Sequence, residues 1–268
     1  MGRLIEDKFK QWEEECNHRF DTLKANEEEL NRIFIDIYGL GDELTPEVAD
    51  KDVTVAKANL KRDIKSLVSY AVGCMFGRYS PYKDGLIFAG GEWNMDDYTR
   101  ICLAAINTDK NISTKMFMPD VDNVLPIPDD DYLENDIVSR FVEFVSLIYG
   151  NDTLEKNLDY IAKALGNKGD TSRKVIRNYF LNDFYNDHVK TYQKRPIYWQ
   201  LDSGKNNGFK ALIYMHRYNQ DTMGIARVDY LHKLQRIYES LLSRLDDTID
   251  NNNSVRDVAE AQKKKEAL

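Results

Sequence analysis

Hydrophobic positions in this 268-residue chain recur mostly three and four residues apart, the spacing of one helix face. Leu4, Ile5, Phe9, Trp12, Cys16, Phe20, Leu23, Leu30, Ile33, Phe34 and Ile37 keep that spacing, with Glu13–Glu15 and Glu27–Glu29 on the wet side. Gly39 and Gly41 then end a long first helix, with Pro46 close behind. Asn26, ahead of three glutamates, offers a cap at which that helix can break into a pair. The pattern predicts further helices over 57–76, 93–106, 132–149 and 152–165. Ser172 is the expected N-cap of another, which carries Val175, Ile176, Tyr179, Phe180, Phe184 and Val189 inward and runs to Tyr192. Arg195-Pro196 breaks it.

The texture then changes to a period of two. PIYWQL and FKALIYM are rich in β-branched and aromatic residues and are joined by DSGKNNG, so a hairpin is expected over about 196–215. GLIFAGG (85–91) reads as a short strand between turns. Residues 107–131, with Pro119, Pro126, Pro128 and several Asp, read as a connection over the surface. A last helix is expected over about 221–247, followed from Asp250 by a polar, frayed tail. The expected fold class is therefore mainly α, an irregular helical bundle with a small β-hairpin or minor sheet. The expected divisions are 1–45, a long helix or helical pair; 46–131, a helix, a short strand and the connection; 132–249, a helical subdomain with a basic aromatic hairpin; and 250–268, a disordered tail.

Charge changes this picture in one place. From Thr171 to Arg236 there are twelve Lys/Arg against five Asp and no Glu, a balance of +7 in a chain of net charge −8. Such asymmetry points to an anionic partner for one face, with nucleic acid the leading class. The candidate contacts are Arg173, Lys174, Arg177, Lys190, Lys194, Arg195, Lys205, Lys210 and Arg217, because Lys and Arg supply the phosphate contacts that dominate nucleic-acid affinity. Asn206 and Asn207, at the hairpin tip, have the amides to read an adenine edge. The plainer alternative is a solvated helix face over a packed aromatic core. Tyr198, Trp199 and Tyr214 favour packing over base stacking, and Arg195 and Arg217 can pair with Asp202 or Asp183.

Other chemistries lack their signatures. There is no GxxxxGK[ST] loop, no GxGxxG after a strand and no GxSxG elbow. His18, His188, His216 and His232 do not have metal-ligand spacing. Asp120, Asp122, Asp129, Asp130 and Asp131 offer oxygens to a hard cation, but a solvated acidic loop explains them as well. The PD pairs at 119–120 and 128–129 lack the ExK that a metal-dependent nuclease places beside them. No 18-residue apolar run predicts a membrane span. The first residues show no apolar signal region, and Cys16, Cys74 and Cys102 suit a reducing compartment, so a cytoplasmic location is expected.

Five blocks carry a resemblance: LNRIFIDIYGLGDEL (30–44), DIKSLVSYAVGCMFGRYS (63–80), DIVSRFVEF (136–144), VIRNYFLNDFYNDHVKTYQKRPIYW (175–199) and FKALIYMHRY (209–218). Together they resemble the C-terminal region of PglX-type adenine-specific DNA methyltransferases of BREX phage-defence systems, which type IIG restriction–modification enzymes share in related form. The resemblance covers roughly residues 30–245. It implies a parent enzyme that transfers a methyl group from S-adenosylmethionine to adenine, using an N-terminal Rossmann-like domain with a Gly-rich cofactor loop and an NPPY-type motif. Neither signature occurs here, and no two of the six prolines are adjacent. No catalytic residue is carried over, and the cofactor is expected in the catalytic domain rather than in this chain. The implied role is a non-catalytic module that supports recognition of double-stranded DNA or assembly. The alternative is a protein–protein scaffold contacting the methyltransferase domain or other defence subunits, with an acidic surface suited to a basic protein or to mimicry of DNA.

Overall fold

The computed structural model describes residues 4–106, 115–204, 208–251 and 254–267. The molecule is mainly helical with a small three-stranded antiparallel sheet, as the periodicities predict. Helix α1 (Ile5–Tyr38) is continuous through Asn26 and ends at Gly39, whose φ of 66° is the left-handed cap that glycine adopts without strain. Asn59 caps α2 (Leu60–Met75), its side chain accepting from the Arg62 N–H. Gly77 (φ 77°) follows it, and a Cβ there would lie 2.3 Å from the Trp93 ring. Next come α3 (Met95–Ile106), α4 (Ile137–Tyr149), α5 (Leu154–Leu165), α6 (Ser172–Asn182) and α7 (Phe184–Thr191). The cap of α6 is Thr171 rather than Ser172, and the run expected to reach Tyr192 is divided at Asp183 into α6 and α7.

The hairpin forms as β2 (Tyr198–Asp202) and β3 (Lys210–Tyr214), with Tyr198 opposite Tyr214 and Asp202 opposite Lys210. Its third strand, β1 (Val124–Pro126), pairs with β3 and comes from the stretch expected to cross the surface. That expectation fails because Val124, Leu125 and Ile127 are buried and their backbone has a partner in β3. Asn123, at φ 63°, continues the edge by exchanging amide hydrogen bonds with the Tyr214 backbone at 3.1 and 3.2 Å. The expected strand at 85–91 is a loop instead, since Gly85, Gly90 and Gly91 all take positive φ and interrupt an extended path.

Strand alternation divides β3 between two cores. Leu212 and Tyr214 join the large core, where Val68, Val72 and Phe76 meet Phe141, Phe144, Leu158, Ile161, Phe180 and Phe184. Ala211 and Ile213 face a smaller core with Val124, Ala226 and Leu234. That core is closed by α8 (Thr222–Ile225), a π-helical run (Ala226–Leu231) and α9 (His232–Asn251). The tail read as frayed carries α10 (Val255–Ala267), which returns along α9 with Lys265 ion-paired to Asp246. At the other end, α1 is fixed by the Ile5 N–H on the buried Asn157 side chain at 2.9 Å. Beyond Phe20 no residue of α1 is buried.

Candidate nucleic-acid interface

The structure sorts the nine candidate cations by what faces them. On α6, Arg173 forms a two-pronged pair with Glu155 of α5 at 2.7 and 2.9 Å, and Lys174 lies 3.3 Å from Asp170. Arg177 is buried. Its guanidinium pairs with the fully buried Asp136, reaches the Pro128 carbonyl at 3.1 Å and lies 3.7 Å from Asp131. Asp136 also caps α4 by accepting from the Ser139 N–H at 2.7 Å, so one carboxylate joins α4 to α6.

The cations on β3 and in the turn after it are also used internally. Lys210 donates to the Leu181 carbonyl at 3.0 Å and lies 3.7 Å from Asp202. Arg217 is buried and donates to the carbonyls of Phe76, Asp120 and Val121 at 2.8–3.2 Å, with its guanidinium 4.1 Å from the centre of the Trp93 ring. It meets neither Asp202 nor Asp183, and burial lowers its pKa to about 10. The aspartates of the 120–131 stretch also have protein partners: Asp122 accepts from the Tyr230 hydroxyl and Asp129 from that of Tyr238. Tyr198 and Tyr214 are core residues, whereas Trp199 is 41% exposed beside Tyr218. Lys205, Asn206 and Asn207 lie outside the described residues.

Lys190, Lys194 and Arg195 remain. All three are exposed at the end of α7 and in the turn after it, and none has a side-chain hydrogen bond or ion pair among the described residues. The turn is tightly made: Gln193 and Lys194 take φ of 51° and 64°, and the Lys194 N–H closes on the Val189 carbonyl at 2.8 Å. Two consecutive non-glycine residues in the left-handed region carry a cost of about 1–2 kcal/mol each, which the surrounding structure must hold.

Beside this turn α7 faces α2 across a cleft of about 590 Å³. From α2 come Lys61, Arg62, Lys65, Ser66, Ser69 and Tyr70, and from α7 come Asp187, His188, Lys190 and Thr191, followed by Tyr192. Lys61, like Lys190, has no acidic partner among the described residues. Asp187, the carboxylate on the cleft wall, is held by Lys65 at 2.6 Å and the Tyr179 hydroxyl at 3.1 Å. Burial and that carboxylate together push the Tyr179 hydroxyl pKa up. Tyr79 stacks on Tyr70 at 5.6 Å, and it fits because residue 73 is glycine: a Cβ there would lie 2.4 Å from the Tyr79 ring. The cleft is thus cationic and aromatic, which suits an anion bearing a planar group.

His188 is the buried member of this wall. Its Nε2 accepts from the N–H groups of Ile197 and Tyr198 at 3.1 and 3.2 Å, which ties α7 to β2. Burial, with the nearby Arg78 charge adding to it, lowers its pKa to about 4. The ring is therefore neutral at pH 7, with its proton on Nδ1. Hydrophobic periodicity marks only the apolar face of α2 and passes over this wall. The visible signal for it is Lys61, Lys65 and Ser69 at four-residue spacing on the other face.

No protein-family model matches the chain. It is 48% identical over 255 residues to the adenine-specific methyltransferase PglX of Lacticaseibacillus casei (strain Zhang), a match covering 94% of this chain and 20% of that protein. It is 33% identical over 259 residues to the adenine-specific methyltransferase BrxX of Escherichia coli O9:H4 (strain HS), covering 88% of this chain and 21% of that protein. The chain thus spans about a fifth of the length of these curated relatives. Identity at this level over nearly all of its residues makes the chain a homologue of one segment of the PglX and BrxX adenine-specific methyltransferases.

Proposed function

We propose that the chain is a non-catalytic, C-terminal module of a site-specific DNA adenine methyltransferase in a phage-defence or restriction–modification system, and that it supports DNA recognition. The observation that carries this reading is the 48% identity, across 94% of the chain, to an adenine-specific methyltransferase. Methyl transfer from S-adenosylmethionine is assigned to the rest of the parent enzyme, since no cofactor loop or NPPY-type motif occurs in this sequence. DNA contact is assigned to Lys190, Lys194 and Arg195, whose charges are not consumed by carboxylates of the described residues. Such contacts anchor the duplex by its phosphates and leave base reading to other groups.

Titration against duplex DNA at two salt concentrations tests this. The reading expects affinity to fall steeply as salt rises, and neutralising the three cations to reduce the log–log slope by about 0.9 for each phosphate that is no longer neutralised. Absence of binding at low salt, or binding indifferent to salt, contradicts it.

A second reading, assembly, is favoured by the distal half of α1. Leu30, Ile33, Phe34, Ile37 and Tyr38 follow the i, i+3, i+4, i+7, i+8 pattern, and each is exposed, Tyr38 to 70%. A contiguous apolar stripe of this kind suits another polypeptide, here the methyltransferase domain of the parent enzyme. Association with that domain that survives neutralisation of Lys190, Lys194 and Arg195 but is lost in Phe34→Glu/Ile37→Glu supports assembly. Association unaffected by the α1 pair contradicts it.

A further inference from the structure

We infer that the cleft between α2 and α7 is a nucleotide site, taking a phosphate on Lys61 and Lys190 and a planar ring on its tyrosine wall. The volume, about 590 Å³, is in the range of small-molecule pockets and well beyond the needs of a lone phosphate. Among the described residues four cations line it against one carboxylate; Arg62 is paired with Asp63 and Lys65 with Asp187, which leaves Lys61 and Lys190. Lys61 and Lys190 come from opposite walls, and each is free of acidic partners among the described residues. Tyr70, 38% exposed, and Tyr192, 4.7 Å from the His188 ring, supply aromatic surface of the kind on which bases stack. Ser66, Ser69 and Thr191 add hydroxyls that donate and accept.

His188 is the second, independent sign that the wall is incomplete. It is only 3% exposed, its Nε2 is fully engaged and its Nδ1 has no hydrogen-bond partner among the described residues. A buried donor left without an acceptor is rare in native structures. A base carbonyl or ring nitrogen is the kind of acceptor that a ligand entering this wall would bring. One ligand chemistry unites these features: a nucleoside phosphate, whether free in solution or an unpaired nucleotide of a nucleic-acid strand. The site goes beyond the duplex reading, because Lys194 and Arg195 are not among its walls.

The test is a set of NMR titrations of the full chain with AMP, adenosine, inorganic phosphate and a short single-stranded oligonucleotide. Resonances of Tyr70, Tyr192 and the His188 imidazole are followed. AMP, the oligonucleotide or both are expected to shift these resonances, the two arms distinguishing a free from a strand-borne nucleotide. Adenosine and phosphate alone are expected to bind about tenfold more weakly or worse, since each lacks one half of the recognition. Lys61→Ala/Lys190→Ala, which removes two exposed and unpaired side chains, should weaken binding about tenfold or more while leaving the folded spectrum intact. Lys194→Ala/Arg195→Ala should change nucleotide binding less than about twofold, even where it weakens duplex binding. No shift with AMP or oligonucleotide, shifts that inorganic phosphate reproduces, or an unchanged affinity in Lys61→Ala/Lys190→Ala would overturn the site. Duplex binding can fail without any of these outcomes, so the two readings fall separately.

Discussion

Helix α6 and the end of α7 present the same chemistry in sequence and opposite chemistry in space. Each brings three cations: Arg173, Lys174 and Arg177 on the first, Lys190, Lys194 and Arg195 on the second. Those of α6 face Glu155, Asp170 and Asp136, and each is paired. Those of α7 and its turn are exposed, and none forms an ion pair with a carboxylate among the described residues. Charge in a sequence is therefore not the same as charge available to a ligand. Availability is decided by what the rest of the fold places opposite.

The largest expected effect lies on α6. Arg177→Met strands the fully buried Asp136 and should cost about 3–5 kcal/mol in chemical denaturation. Adding Asp136→Asn, which keeps an N-cap side chain for α4, should restore part of that loss. A cost below about 1 kcal/mol would mean that Arg177 is not the structural cation described.

Acid sharpens the contrast from the α7 side. His188 binds its proton at about pH 4 when folded and near 6.5 when unfolded. Between those values the unfolded chain holds more protons, so stability is full above about pH 6.5 and falls as pH drops toward 4. The difference is on the order of 3 kcal/mol at most. His188→Gln should flatten that part of the profile; an unchanged slope would assign it to other groups.

Surface pairs come next. Arg173→Ala breaks a two-pronged but half-exposed pair with Glu155 and should cost about 0.2–1 kcal/mol. The triple change Lys190→Ala/Lys194→Ala/Arg195→Ala should stay within about 0.5 kcal/mol of the parent, because nothing in the described fold leans on those side chains. A loss of several kcal/mol in the triple variant would erase the distinction between the two helices.

Much of the fold could be read from spacing and caps. Helices α2, α4 and α5 each have one continuous apolar face and a clear stop signal, and the hairpin has β-rich arms around Asn-Gly. What could not be read depended on distant partners. Three residues, Val124–Pro126, are too few to show a period, and their strand exists because β3, far along the chain, lies beside it to receive it. GLIFAGG has strand-forming residues, but its glycines adopt positive φ and it folds back onto the Arg78 carbonyl. The tail beyond Asp250 has little apolar content, and its helix lies along α9.

The candidate site was less legible. Its cations could be named, but Arg177 and Arg217 differ from Lys194 only through acceptors far along the chain: Asp136 and Pro128 for the first, Phe76 and Asp120 for the second. The cleft was invisible for the same reason. Lys61 and Lys190 share it although the helices that carry them are separated by most of the large core's sequence.

The most direct test compares the two triads by DNA binding. Duplex affinity is measured across a salt series for the parent, for Arg173→Ala/Lys174→Ala and for Lys190→Ala/Lys194→Ala/Arg195→Ala. The α7 triad should lower the slope of log affinity against log salt by roughly two to three, and the α6 pair should leave it nearly unchanged. Equal slopes for the two variants, or a larger loss from α6, would contradict the account.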